Sequence, residues 1–338
     1  MKAIVLKEFG GVDNFELQDV LKPVVSAHDV LVRIKAAAFN PIDYQMRQGG
    51  NESKLLKSMI LGREFAGVVE SVGKLADHIS IGDAVVAYAG SLGSNGTYTE
   101  YISIPQELVA VKPENVSFED AAAVPVVGMT ALQCFERLKI SASDSVFIGG
   151  GAGGVGTMLI KLLMAYGIDQ IITTAGNEES RSHLLAMGIK ENNIINYKVP
   201  DFIDKILALN NGVAFDYCID LVGGKISEIC RELVKVAGVY ADVTYLATEK
   251  AKKQLFGKAV MVVNISNYAY TLSGNRTDLG YYGEKLSLLM KTFEEGRISV
   301  PKAEVVGELS LETVISSHRM LEGNLTNGKK LVMRVGDL

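Results

Sequence analysis

The stretch Ser145-Val-Phe-Ile-Gly-Gly-Gly-Ala-Gly-Gly-Val-Gly156, with the apolar run Thr157-Met-Leu-Ile-Lys-Leu-Leu-Met-Ala-Tyr166 behind it, decides how this chain is read. It has the grammar of a short buried strand, a glycine turn and a helix. Gly151, Gly153 and Gly156 stand at the G-x-G-x-x-G spacing, where glycines permit a tight turn, close backbone approach to a pyrophosphate and close helix–strand packing. Gly154 and Val155 fall in the first helical turn, whose unpaired N–H groups suit a phosphate. Glycine clusters also mark ordinary loops, so the spacing alone is a weak signal. Its context is specific: a strand precedes it, a periodic helix follows, and a second strand, Gln170-Ile-Ile-Thr-Thr-Ala175, arrives where a βαβ unit needs one.

Outward from this motif the same grammar holds between about Pro125 and Ser266. Strands at Ser145–Gly149, Gln170–Ala175, Phe215–Asp220 and Val236–Val243 alternate with helical stretches, which predicts a doubly wound parallel sheet in an α/β fold. Before it, from Met1 to about Ala122, short glycine-punctuated strands predict a twisted, partly closed β-structure. These are Ala3–Leu6, Asp29–Ala36, Phe65–Val72, Asp83–Tyr88 and Gly96–Ser103. After it, Lys250–Gly283 is the least regular segment, readable as a lid or a plain surface loop. Helices are expected over Glu284–Gly296 and Ser310–Leu321, and a last strand over Gly328–Val335 that rejoins the first domain.

With 338 residues the chain accommodates two domains of ordinary size. A 48% hydrophobic content and a mean hydropathy of +0.20 suit a well-buried globular protein. No apolar run approaches the roughly 18 residues a membrane-spanning helix requires. Met1–Leu6 passes straight into strand pattern without the regions of a signal peptide, so a cytoplasmic location is expected. The net charge of −5 argues against nucleic acid as the main partner. Cys134, Cys218 and Cys230 are odd in number and widely spaced, which suggests reduced, buried thiols rather than disulfides or a metal site.

Ala37-Ala-Phe-Asn-Pro-Ile-Asp43, Leu61-Gly-Arg-Glu-Phe-Ala-Gly-Val-Val69, Gly96-Thr-Tyr-Thr-Glu-Tyr101, Ala121–Ala131, Gly149–Gly156, Phe215–Gly224 and Gly328-Lys329 follow one another in a recognisable order. In these stretches the sequence resembles the medium-chain dehydrogenase/reductase superfamily, in its zinc-free quinone oxidoreductase (zeta-crystallin-like) branch. The resemblance implies a GroES-like catalytic domain built from residues 1–122 and 267–338, with a Rossmann dinucleotide-binding domain, residues 123–266, inserted between. Where the zinc enzymes of that superfamily carry a ligand Cys and a Gly-His-Glu, this chain has Asn40 and Gly62-Arg63-Glu64. Arg63 cannot ligate a cation, and no four-cysteine lobe exists, so no metal is expected. His28, His78, His183 and His318 read as surface or packing residues.

The second strand of the expected Rossmann domain ends Thr173-Thr-Ala-Gly176, without the carboxylate that usually binds an NAD ribose. Arg181 offers a guanidinium to a 2′-phosphate. Tyr197 matches a tyrosine that quinone oxidoreductase relatives keep beside the adenosine phosphate. Glu178 and Glu179 read as solvated first-turn residues, although they weaken an anion site. NADPH is therefore the expected cofactor. The resemblance adds Thr130 near the nicotinamide, and Lys329 and Asn177 among the cofactor-binding residues. The loops beginning at Leu221 and Tyr240 are placed beside ribose and nicotinamide by the rule that ligands bind at the carboxyl ends of parallel strands.

Without a metal, hydride transfer favours acceptors that are already electrophilic: a quinone, or an α,β-unsaturated carbonyl such as an enone or enal. Negative charge then develops on a carbonyl oxygen, which donors stabilise. Asn40, Tyr44 and Arg47 are the candidate catalytic residues. Tyr44 reads equally as a packing residue, and Asp43 with Arg47 as a pair that holds the loop. The alternatives are an enoyl-thioester reductase using Lys250, Lys252, Lys253 and Lys258 as a basic groove, or a non-catalytic NADPH-binding sensor, structural or RNA-binding protein. A homodimer is expected through Ala259–Ile265, an edge strand by resemblance; a buried internal strand looks the same in sequence.

Overall fold

The computed structural model describes residues 1–89 and 96–336, in two compact units. The first unites Met1–Met129 with Asn267–Leu338, and the second is Thr130–Ser266. The chain begins with β1 (Lys2–Leu6), β2 (Phe15–Asp19), β3 (Asp29–Ala38), α1 (Pro41–Arg47), β4 (Glu64–Val72), β5 (Ala84–Tyr88), β6 (Tyr101–Pro105), β7 (Val109–Val111), α2 (Phe118–Ala122) and α3 (Pro125–Leu138). There follow β8 (Val146–Gly149), α4 (Gly154–Ala165), β9 (Ile171–Ala175), α5 (Glu178–Ala186), β10 (Ile194–Asn196), α6 (Phe202–Leu209), β11 (Phe215–Asp220), α7 (Lys225–Leu233), β12 (Val234–Asp242), α8 (Glu249–Gly257) and β13 (Met261–Asn264). The chain closes with α9 (Arg276–Glu294), β14 (Ala303–Glu308), α10 (Leu311–Glu322) and β15 (Lys330–Arg334).

The first unit is organised around β3, the longest strand of its seven-stranded sheet. The sheet runs β14-β15-β3-β4-β5-β7, and β6 also pairs with β3. One edge of β3 is shared: its first half pairs with β6 and its last residues, Ala36–Ala38, with β15. The other edge pairs throughout with β4. The run Ala36, Ala37, Ala38 is fully buried, and its small side chains let the sheet be covered closely there. Ala38 lies between Glu64 on β4 and Val332 on β15. This register brings the chain just past β3 against the start of β4 and the start of β15.

The second unit is a six-stranded sheet in the order β10-β9-β8-β11-β12-β13, parallel throughout. The order reverses between β8 and β11, the switch point where such sheets bind ligands beyond their strand ends. Phe147, Phe215, Ile229, Leu233 and Tyr240 fill one side of it, with the Phe147 and Phe215 ring centroids 5.9 Å apart.

Two readings of the sequence need correction. Lys250–Gly283 is largely regular: it contains most of α8, with Thr248 as its side-chain cap, all of β13 and the opening of α9. Helix α8 and β13 are short, and the start of α9 follows a turn, which hid their periodicity. Residues 96–100 make only an isolated bridge, at Thr99, and the strand proper begins at Tyr101. The segment at Ala259–Ile265 holds an edge strand: among the described residues β13 pairs with β12 alone, and it exposes Met261 and Val262. The three cysteines are free and buried.

Candidate active site

In the second unit the glycine turn is shaped by what no side chain could fit. A Cβ on Gly151 would lie 2.2 Å from Thr173 Oγ1, and one on Gly156 2.5 Å from Gly151 Cα. Helix α4 can therefore approach β8 and β9 only with glycine at both positions. Gly150 takes the left-handed φ of 91°, and a Cβ there would meet Val222 Cγ2 at 2.6 Å and Leu221 Cβ at 3.6 Å. The loop after β11 thus packs against the turn. Gly153 is the N-cap of α4, and among the described residues no side chain caps that helix. Asn177, Thr248, Asn275 and Ser310, by contrast, cap α5, α8, α9 and α10. The first-turn amides of Gly154 and Val155 remain available to an anion, and the cradle fits a pyrophosphate.

At the end of β9, Gly176 is covered by a half-exposed phenol: a Cβ would lie 2.4 Å from the Tyr197 hydroxyl. A carboxylate side chain at this position would displace the ring. Glu178 and Glu179 are exposed in the first turn of α5. Arg181 donates to Glu191 at 2.5 Å and to the Ile194 carbonyl at 3.4 Å, so its guanidinium is held near β10. Tyr240 is 1% exposed and donates to Asp220 Oδ2 at 2.8 Å. Its side chain belongs to the core; it orients Asp220, whose other oxygen accepts the Val222 and Gly223 amides and shapes the loop beside the turn. Thr130 is buried on α3. Three of the four candidate groove lysines are engaged: Lys250 with Glu228, Lys252 with Glu249, and Lys258 with the carbonyls of Arg231, Glu232 and Val234.

In the first unit the register of β3, β4 and β15 gathers a buried polar cluster. Asn40 Nδ2 donates to Glu64 Oε1 at 2.7 Å. Lys330 Nζ donates to Asn40 Oδ1 at 2.5 Å and to the Phe39 carbonyl at 3.1 Å, and forms an ion pair with Glu64. Glu64 Oε2 accepts the Val126 amide at 2.7 Å. Asn40, Glu64 and Lys330 are all buried. Arg63, equally buried, donates to Tyr88 and Glu52.

A second chain of contacts starts at Asp43. Its Oδ2 accepts the Asn40 backbone N–H at 2.8 Å and the Tyr98 hydroxyl at 3.1 Å, and that hydroxyl lies 3.1 Å from His318 Nε2. Burial pushes the Asp43 carboxyl up to about 6, although Arg63 and Lys330 oppose the rise. Burial, aided by the Arg47 charge, lowers His318 to about 3, which keeps it neutral among Phe15, Phe39 and Tyr98. Arg47 is buried and pairs with Glu322 of α10 at 2.6 Å, not with Asp43. Tyr44 is half-buried on α1, and its hydroxyl has no hydrogen-bond partner among the described residues. Lys329 stands before β15 with its ammonium 3.4 Å from Glu304.

Sequence reasoning assigned no role to Lys330, Glu64, Tyr98 or Asp220, and His318, read as a surface or packing residue, is buried against Phe15, Phe39 and Tyr98. Two of the unassigned residues left a signal: a lysine opening the apolar strand Lys330-Leu-Val-Met and a glutamate inside Leu61–Val69 are charges where the pattern wants apolar residues.

A parallel dinucleotide-type sheet spliced into a β-rich unit made from both chain ends is the plan of the medium-chain dehydrogenase/reductases. Residues 26–114 match the alcohol dehydrogenase GroES-like domain family, and residues 154–278 the zinc-binding dehydrogenase family. A quinone oxidoreductase of Mus musculus is 33% identical over 208 residues, 61% of each chain. The NADPH-dependent alkenal/one oxidoreductase of Arabidopsis thaliana chloroplasts is 29% identical over 98% of this chain and 79% of its own. Among solved structures, the quinone oxidoreductase of Coxiella burnetii superposes with a TM-score of 0.82 at 29% identity, covering 99% of both chains. The chain belongs to the quinone oxidoreductase branch of the medium-chain dehydrogenase/reductase superfamily, a family of oxidoreductases.

The zinc in the name of the second matched family does not suit the residues present. The cluster offers one carboxylate and one amide, both bonded to the Lys330 ammonium, beside the Arg63 guanidinium. Two fixed cations there oppose a third. Among the described residues, no group of three or more His, Cys, Asp or Glu could hold a metal ion.

Proposed function

We propose that the chain is an NADPH-dependent, zinc-independent reductase that transfers hydride to a quinone or to an α,β-unsaturated carbonyl. The observation that carries this reading is the Asn40–Glu64–Lys330 cluster, in which an ammonium already bonds the oxygens a metal would need. With no Lewis acid to polarise an alcohol or an isolated ketone, the acceptor must be electrophilic by itself. Support for the acceptor class also comes from the names of the mouse and Arabidopsis relatives.

The chemistry NADPH supplies when bound is a hydride. This chain's residues bind and orient. The glycine turn and the uncapped start of α4 hold the pyrophosphate; Leu221 borders the ribose and nicotinamide; Asn177, Arg181 and Tyr197 face the adenosine 2′-phosphate at the end of β9; Thr130 and Lys329 complete the cofactor contacts. Asn40 donates to the acceptor oxygen as charge grows on it. Tyr44, whose hydroxyl has no partner among the described residues, supplies a proton or shares that task with water. Arg47 serves by pinning α1 to α10 through Glu322. The protein works as a homodimer through β13, which exposes Met261 and Val262.

The test is oxidation of NADPH and NADH, followed by loss of the reduced-nicotinamide absorbance, against a benzoquinone, a naphthoquinone, an enone, an enal and an enoyl thioester. Fast NADPH-selective turnover of a quinone, enone or enal is expected. Preference for the enoyl thioester would move the assignment to the neighbouring branch, and tight NADPH binding without any turnover would make this a binding protein. A monomer by light scattering at micromolar concentration would remove the dimer.

A further inference from the structure

We propose that Lys330 is a positioning residue: together with Glu64 it fixes the Asn40 amide so that an N–H donor, not the amide oxygen, is offered to the hydride acceptor. The inference rests on the reductase reading of the site. The two ends of an asparagine amide are nearly equal in shape and differ only in hydrogen-bonding sense. Here they are told apart by charge. The Lys330 ammonium stands 2.5 Å from Oδ1, and the Glu64 carboxylate 2.7 Å from Nδ2. A flipped amide would turn NH2 toward the ammonium and oxygen toward the carboxylate, repulsive at both ends.

Lys330 acts through Asn40 and does not reach the acceptor itself. An ammonium has three hydrogens, and three oxygens take them: the Phe39 carbonyl, Asn40 Oδ1 and Glu64 Oε1. Glu64 cannot swing away, because its second oxygen accepts the Val126 amide. Of the two Nδ2 hydrogens one is held by Glu64, and the other is left for an outside acceptor. A donor at that place stabilises the oxyanion formed as hydride arrives, whereas a carbonyl lone pair would repel it.

The experiment is a mutant cycle read on kcat with the preferred quinone or enone, alongside NADPH affinity. Its members are the wild type, Asn40→Ala, the charge-neutral pair Glu64→Gln/Lys330→Met, and the three changes combined. The charge-neutral pair is expected to lose about 100-fold in kcat through misplacement of the amide, with NADPH affinity unchanged. In the Asn40→Ala background the same pair should cost nothing more, because its target is gone. Losses that multiply in the combined variant would show that the pair acts independently of Asn40, and an unaffected kcat would show that it does not act at all; either overturns the inference. Glu64→Gln/Lys330→Gln, which also leaves the site neutral but keeps a donor beside Asn40, repeats the comparison if the charge-neutral pair fails to fold. Its kcat loss should likewise vanish in the Asn40→Ala background, and persistence there counts against the proposal. A wild type without turnover of any acceptor overturns the reductase reading and this inference with it, while an active wild type with an unaffected pair overturns this inference alone.

Discussion

The two units build their sites by opposite means. The second uses absence: glycines whose missing Cβ atoms let α4 approach β8 and β9, and helical amides left without a side-chain cap. The first uses presence: Asp43, Arg63, Glu64 and Lys330 are buried together, with Glu64 answered by Lys330 from another strand and Arg63 by Glu52. A site made of backbone and empty space tolerates little added volume and is indifferent to pH. A site made of buried charges is governed by who is ionised.

The largest expected effect tests the buried charges. Lys330→Met leaves Glu64, 0% exposed, without its counter-ion, and removing one partner of a buried pair costs about 3–5 kcal/mol. Adding Glu64→Gln removes the orphaned charge and should recover most of that loss in urea unfolding. If Lys330→Met alone is as stable as the wild type, the pair is solvated and the contrast between the units collapses.

Next comes pH. Asp43 titrates near 6 in the folded chain and near 3.9 when unfolded. Between these values the folded state holds the extra proton, so Asp43 makes stability fall as pH rises through about 4 to 6. His318, lowered to about 3 from an unfolded value near 6.5, does the reverse: the unfolded state holds the proton, and stability rises with pH from about 3 to 6.5. In the shared window the two slopes, each about 1.4 kcal/mol per pH unit, oppose and nearly cancel. Asp43→Asn should expose the His318 slope, so that the variant loses about 2 kcal/mol relative to wild type between pH 6 and pH 4. Parallel stability–pH curves for the two proteins would show that Asp43 is not the raised group.

Gly156→Ala tests the other unit. The new Cβ would meet the Gly151 backbone at 2.5 Å, an overpacking that costs about 1–3 kcal/mol because backbone cannot rotate away. Both thermal stability and NADPH affinity should fall.

This contrast also explains what the sequence could and could not reveal. Gly151, Gly153 and Gly156 act within one turn, so their spacing along the chain is their geometry, and the parallel sheet around them followed from strand–helix alternation. Asn40 and Lys330 are 290 positions apart and meet only because β15 pairs antiparallel with the end of β3. Nothing local announces such a contact except that a lysine sits in an apolar strand. Tyr240 misled for a related reason: its position after β11 on the neighbouring strand suggested a ligand contact, whereas side chains alternate along a strand and this one turns to the core. Arg47, read as a partner of Asp43 one helical turn away, is taken by Glu322, a residue far along the chain.

The smallest effect on stability is the sharpest test of the glycine turn. Gly153 has a φ of −73°, which any residue adopts, and a Cβ there would come no closer than 3.4 Å to the Gly150 carbonyl. Nothing in the folded chain demands glycine at this position, so Gly153→Ala should change unfolding stability by less than about 0.5 kcal/mol. In the G-x-G-x-x-G arrangement this glycine leaves room for a pyrophosphate to approach the backbone, and a methyl group added there would meet the ligand instead of the protein. NADPH affinity should fall by about tenfold or more while the unfolding curve stays in place, unlike Gly156→Ala, which moves both. An alanine variant that binds NADPH as well as the wild type would mean that the phosphates do not pass over Gly153, and the anion cradle would have to be relocated along the start of α4.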